Sequence, residues 1–342
     1  MTRTGGQPDG AAATEAESQP DGIGQSEGSR PDHVVDVKDL VKRYKEVVAL
    51  DHFDLSIDKG EIFGLLGPNG SGKTTAINCI LQLLTYSRGE IKLWGEPMSP
   101  TRYDLKRRIG LVPQQVAVLP ELSVTENIDY FCSLYVDDKA RRRRLVGEAI
   151  EFTGLERFAK FRPKKLSGGL VRRLNIACGI AHQPSLILFD EPTVAVDPQS
   201  RNAILEGIRR LGAEGATVVY TSHYMEEVEQ LCTRIMIMDA GRAVAVGTNA
   251  ELKSMVGIGE RIRVELDFPD DAVLAAVRAL PHTQHASLSG QTLKVACAPG
   301  ARNLADVVEA LDRADVSYGR VFSEPPTLND VFLELTGAEL RD

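Results

Sequence analysis

Short apolar runs alternate with amphipathic stretches from residue 34 to about 255. Phe53, Leu55 and Ile57 recur at every second position, the period of a strand with one buried face. Ile62 to Leu66 and Leu186 to Phe189 are unbroken apolar runs, and Thr217 to Thr221 is rich in β-branched residues. Solid runs of this length fit strands covered on both faces, as in a parallel sheet flanked by helices. Thr75 to Leu84 reads as a helix. Ser123-Val124-Thr125-Glu126 forms a capping box ahead of a stripe of Ile128, Phe131, Cys132 and Tyr135. Leu170, Leu174, Ala177, Cys178 and Ala181 define the apolar face of another helix.

A second pattern starts near Glu260. Arg261 to Phe268 reads as a strand and Asp270 to Leu280 as a helix with Val273, Val277 and Leu280 inward. Ala286 to Leu288 and Leu293 to Cys297 flank a Ser-Gly turn. Leu304, Val307, Val308 and Leu311 follow helical spacing, Val316 to Phe322 reads as a strand, and Leu328 to Leu335 as a last short helix. The order βαββαβ predicts a small ferredoxin-like α+β domain over 260–342. Residues 1–32 hold almost no large aliphatic residue and read as a disordered tail.

The chain has 342 residues, which fits about two domains. Its 48 acidic and 40 basic residues leave a net charge of −8, which argues against a general nucleic-acid binder. No stretch reaches the ~18 apolar residues of a membrane span and no signal-peptide core opens the chain, so a cytosolic location is expected. The five cysteines, an odd count without close pairs among apolar neighbours, read as buried thiols.

The sharpest chemical signal is Gly67-Pro68-Asn69-Gly70-Ser71-Gly72-Lys73-Thr74-Thr75, a G-x-x-x-x-G-K-[ST] loop between an apolar strand and a helix. Its glycines let successive N–H groups face phosphate oxygens, Lys73 brings a cation to the β- and γ-phosphates of ATP, and the Thr74 hydroxyl suits Mg²⁺. Leu186 to Phe189 ends in Asp190 and Glu191, two carboxylates at the strand end where parallel sheets bind ligands. Asp190 suits Mg²⁺, and Glu191 suits a general base for water. Leu166-Ser167-Gly168-Gly169-Leu170 places a capping Ser and open backbone N–H groups at a helix start, a second anion site.

In order and spacing these three motifs resemble the ATP-binding subunit of an ABC transporter. The resemblance covers about 34–250 and implies an α/β P-loop NTPase cassette over 33–255, with a helical subdomain at about 116–165. It implies that the signature residues Leu166 to Leu170 close on ATP held by a second cassette, in a homodimer or paired dimer. It assigns Tyr44 to adenine stacking and Asp197 to communication across the dimer. Gln114, with Gln115 as the competing choice, is assigned to Mg²⁺ and the attacking water, and His223 to the γ-phosphate. Phe332 to Gly337 and Thr193 to Arg201 resemble the daunorubicin-resistance exporter branch. Leu170 replaces the family's usual Gln or Met, and Ala195 stands where the branch often has Gly.

The implied function is ATP hydrolysis that drives export through a separate membrane permease, from the cytoplasmic face and without nucleic acid. Arg141 to Arg144 reads as a solvated helical face. The rival readings are a repair or translation ABC ATPase, which would carry long coiled coils or fused cassettes, and a P-loop phosphotransferase, which would not need Leu166 to Gly169 or Asp197. A non-catalytic ATP-binding module would more often lack Glu191.

Overall fold

The computed structural model describes residues 33–300 and 302–337; the tail expected over 1–32 lies outside them. In chain order the first half runs β1 (His33–Tyr44), β2 (Val47–Asp58), β3 (Ile62–Leu66), α1 (Lys73–Ile80), β4 (Arg88–Leu93), β5 (Glu96–Pro97), α2 (Tyr103–Lys106), β6 (Ile109–Val112), α3 (Val124–Ser133), α4 (Lys139–Phe152) and α5 (Gly168–Ile180). There follow β7 (Leu186–Asp190), α6 (Pro198–Ala213), β8 (Thr217–Ser222), α7 (Met225–Leu231), β9 (Arg234–Asp239), β10 (Arg242–Gly247) and α8 (Asn249–Ser254). The last part comprises β11 (Glu260–Leu266), α9 (Asp271–Arg278), β12 (Thr283–Ser289), β13 (Thr292–Cys297), α10 (Asn303–Arg313), β14 (Tyr318–Glu324) and α11 (Leu328–Thr336).

The central sheet has the order β10-β9-β3-β8-β7-β6, parallel except for β10. All residues of β3, β7 and β8 are buried, as the solid apolar runs of β3 and β7 predict, and β8 buries its hydroxyls with them. Side-chain alternation then feeds two cores. Leu186, Leu188 and Val219 join a cluster with α1 and the antiparallel sheet β2-β1-β4-β5, whereas Ile187, Phe189, Val218 and Tyr220 join one with α5, α6 and α7. Helix α1 ends at Ile80, earlier than its pattern indicates, because Gln82 turns at a φ of 55° and the Leu83 and Leu84 N–H groups both return to Asn78.

Between β6 and β7 the chain builds a third core from α3, α4 and α5. The capping box at Ser123 and Glu126 is formed in both directions. Ile128 and Cys132 are fully buried, while Phe131 and Tyr135 are partly so. All five cysteines are buried.

After Glu260 the strands order as β12-β13-β11-β14, all antiparallel, over a core with α9 and α10. Leu304 is 37% exposed; Asn303 is buried instead and donates from Nδ2 to the Ala298 carbonyl at 2.8 Å. Helix α11 leaves this unit. Its Leu328, Val331 and Phe332 join the core of the central sheet with Val228, Leu252 and Val256. The Leu328 N–H donates to Glu229 at 2.6 Å, so the last helix packs with the cassette although the chain reaches it through the C-terminal strands.

Candidate functional site

The loop after β3 turns sharply onto α1. Gly72 sits at a φ of 107°, and a Cβ there would meet the Ala49 carbonyl at 2.7 Å, so only glycine fits. A Cβ on Gly67 would strike the Met238 carbonyl. Lys73 opens α1 with its side chain buried. Its Nζ donates to the Gly67 and Pro68 carbonyls at 2.8 and 3.0 Å and lies 3.3 Å from Glu191 Oε1. Burial lowers the Lys73 pKa, partly opposed by the Glu191 and Asp190 carboxylates.

Asp190 ends β7 beside this loop. It accepts hydrogen bonds from Thr221 Oγ1 at 2.7 Å and Thr74 Oγ1 at 3.2 Å. Burial nevertheless raises its pKa, against both hydroxyls. Glu191 follows at a φ of 45°, a left-handed turn that aims its carboxylate across the strand ends. Gln114 Nε2 donates to Glu191 Oε2 at 3.0 Å, and His223 Nδ1 lies 3.5 Å from the same oxygen. Side chains from three separate segments, carrying Lys73, Gln114 and His223, thus converge on one carboxylate. The contact also separates Gln114 from the exposed Gln115, which has no partner here among the described residues.

Tyr44, at the end of β1, is 43% exposed, with the Lys42 ammonium 4.7 Å over its ring. Tyr44 is therefore not a core residue. Ser167 caps α5, its hydroxyl accepting from the Leu170 N–H, and Leu170 packs partly buried against the third core. No hydrogen bond or ion pair among the described residues joins 167–169 to 67–75 in this chain. Gly169 instead abuts the Asp197 and Ser200 side chains. Asp197 caps α6 by accepting from the Ser200 N–H at 2.9 Å.

One residue escaped the sequence reading. Arg172, buried on α5, donates to the Pro113 and Gln114 carbonyls at 3.1 and 2.8 Å and to the Glu191 carbonyl at 3.3 Å. It ties the glutamine segment to the glutamate, and burial lowers its pKa. The one local sign was an arginine one turn into a helix otherwise rich in apolar residues; nothing local named its partners.

The known-family description "ABC transporter" matches residues 50–194. Linearmycin resistance ATP-binding protein LnrL of Bacillus subtilis (strain 168) is 37% identical over 312 residues, covering 90% of this chain and 100% of that protein. Nod factor export ATP-binding protein I of Cupriavidus pinatubonensis (strain JMP 134 / LMG 1197) is 36% identical over 310 residues, covering 90% of this chain and 92% of that one. A solved ATP-binding subunit of an ABC transporter superposes with a TM-score of 0.60 at 27% identity, over 65% of this chain and 92% of its own. A dimeric post-hydrolysis structure of the ATP-binding cassette MJ0796 with ADP and Pi gives a TM-score of 0.58 at 30% identity, over 63% of this chain and 98% of its own. The solved cassettes thus account for under two thirds of the chain, whereas the curated relatives run over nine tenths of it.

Proposed function

This chain belongs to the ABC transporter ATP-binding family and is an ATPase, and from that premise we propose that it powers export through a separate membrane permease at the cytoplasmic face. Two curated relatives carry names of resistance or export. No helix among the described residues is long and apolar enough to cross a membrane, which fits a permease on another chain. The reading leaves the cargo to that permease, since no motif of this chain addresses anything but nucleotide.

The observation that carries the site assignment is the convergence on Glu191. Hydrolysis needs water held in line with the γ-phosphate and the growing charge neutralised. The N–H groups of 69–75 cradle the phosphates, and Lys73 exchanges its loop carbonyls for phosphate oxygens. Glu191 takes the water proton, with Gln114 and His223 orienting water and phosphate around it. Tyr44 offers an exposed face to adenine. The Thr74 hydroxyl and Asp190 carboxylate are hard oxygen donors 3.2 Å apart, a set that fits Mg²⁺, with Gln114 as a further ligand. Mg²⁺ there supplies charge neutralisation to the phosphates.

Ser167 to Gly169 have no partner in the P-loop of their own chain, which supports a head-to-tail pair in which they face the other cassette's ATP. The solved cassette with ADP and Pi is dimeric. Asp197, against Gly169, would then lie at the seam. We assign 33–255 plus α11 to the cassette and β11 to β14 to an accessory unit. Glu191→Gln keeps shape and removes the base, so turnover should fall about 10²–10⁴-fold while ATP affinity stays near wild type. Steady-state ATPase with calorimetry checks this; undiminished turnover would remove Glu191 from the chemistry.

A further inference from the structure

One buried carboxylate near the site has no part in the phosphate chemistry. Glu227, on α7, is 4% exposed. Its Oε2 accepts from Tyr220 OH at 2.7 Å, Thr193 Oγ1 at 2.8 Å and Ser222 Oγ at 3.1 Å. Its Oε1 lies 3.2 Å from Arg201 Nε on α6. Three hydroxyl donors and one ion-pair partner thus fix a single buried carboxylate, and a network of this kind specifies one arrangement of the segments it joins.

Each partner belongs to a segment that carries a site residue. Thr193 lies between Glu191 and Asp197. Ser222 precedes His223 and also accepts from the Tyr224 N–H at 2.9 Å. Arg201 sits one turn beyond Asp197 on the helix that Asp197 caps, with its guanidinium 4.8 Å from the Tyr224 ring centroid. That ring lies 4.1 Å from the His223 ring, centroid to centroid. The loop being held is strained, with Glu191 at a φ of 45° and Ala195 at 58°. Left-handed non-glycine residues persist only where their surroundings fix them.

We propose that Glu227 is a positioning residue that locks the loop from Glu191 to Asp197 onto the strand end bearing His223, so that the water-handling groups and the partner-facing Asp197 are set as one unit. The inference rests on the roles given above to Glu191 and His223. Its test uses the full chain as wild type, Glu227→Gln, Tyr220→Phe and Val228→Ala, read by steady-state ATPase, ATP calorimetry and thermal melts. Val228 is a buried neighbour of Glu227 on α7 that packs by Gly64, away from the site.

Glu227→Gln should lower kcat at least tenfold with KM and ATP Kd within twofold of wild type. Tyr220→Phe, which deletes one of three donors, should lower kcat two- to fivefold with the same unchanged KM. Val228→Ala should lower the melting temperature and leave kcat within twofold. Wild-type kcat in Glu227→Gln overturns the proposal, as does a kcat loss no larger than that of Val228→Ala at an equal fall in melting temperature. If Glu227→Gln does not fold, Tyr220→Phe decides by the same split. A wild-type chain without ATPase activity overturns the underlying functional reading, and this inference with it, and is distinguishable because it needs no variant.

Discussion

The central sheet and the C-terminal sheet both bury Val, Ile and Leu, the first in strands buried throughout and the second in alternation, and their polar residues are placed oppositely. At the ends of β3, β7 and β8, Ser71, Lys73, Asp190, Glu191, Thr221 and Ser222 are all buried. Over 260–324 the core is Ile262, Val264, Leu293, Val295 and Leu311 with their neighbours, and Asn303 is the one buried polar residue there among those described. The first region keeps charges out of water, where each must find a partner or shift its pKa. Lys73 and Asp190 do both. Such groups are poised for a charged ligand, whereas the core of the second region is almost wholly apolar.

The contrast breaks first at Lys73. Lys73→Ala removes the one buried cation on the loop, and ATP binding should weaken by about 4 kcal/mol, roughly a thousandfold, as for other buried charged contacts. Calorimetry reads it directly; near wild-type affinity would place the phosphates elsewhere. The opposite result is expected of Leu311→Ala in the C-terminal core, where Leu311 is fully buried. Unfolding free energy of that unit should fall by about 3 kcal/mol with ATP affinity unchanged. A fall in affinity would show that the two sheets are not energetically separate.

A smaller effect comes from His182, which donates to the Ile109 carbonyl at 3.0 Å and stacks on Tyr135 at 3.9 Å. Burial pushes its pKa down from 6.5 to about 4. With the folded value below the unfolded one, stability present above pH 6.5 is lost as pH falls toward 4. Between pH 7.5 and 5 the 1.5 pH units below 6.5 amount to about 2 kcal/mol, lost by wild type and not by His182→Gln. Urea melts at the two pH values compare them. The smallest effect concerns Ala195, exposed at a φ of 58° where glycine is the comfortable residue. Ala195→Gly should stabilise by about 0.5–1 kcal/mol, the left-handed penalty less glycine's added unfolded entropy. A loss of stability would mean that the methyl group is held by contacts.

Much of this was legible in one dimension because the signals are local. Ile62 to Leu66 and Leu186 to Phe189 are solid apolar runs, the pattern of a parallel strand covered on both faces. The phosphate loop is contiguous, so its spacing carries its geometry. Gln114 against Gln115 was not legible, since both follow the same strand and only the 3.0 Å approach to Glu191 separates them. Nor was α11, whose apolar face looked like the end of the C-terminal unit. A helical stripe states that it will be buried and not against what.

By itself, then, the sequence determined the buried strands β3 and β7, the phosphate loop and the two carboxylates after β7, because each rests on residues adjacent in the chain. The tertiary structure alone decided that Arg172 ties Gln114 to Glu191, that Glu227 meets the Thr193 hydroxyl of the loop after β7, and that α11 returns to the cassette. Those are contacts between residues far apart in sequence, fixed by sheet order and register, and no local pattern encodes which strand end will face which helix.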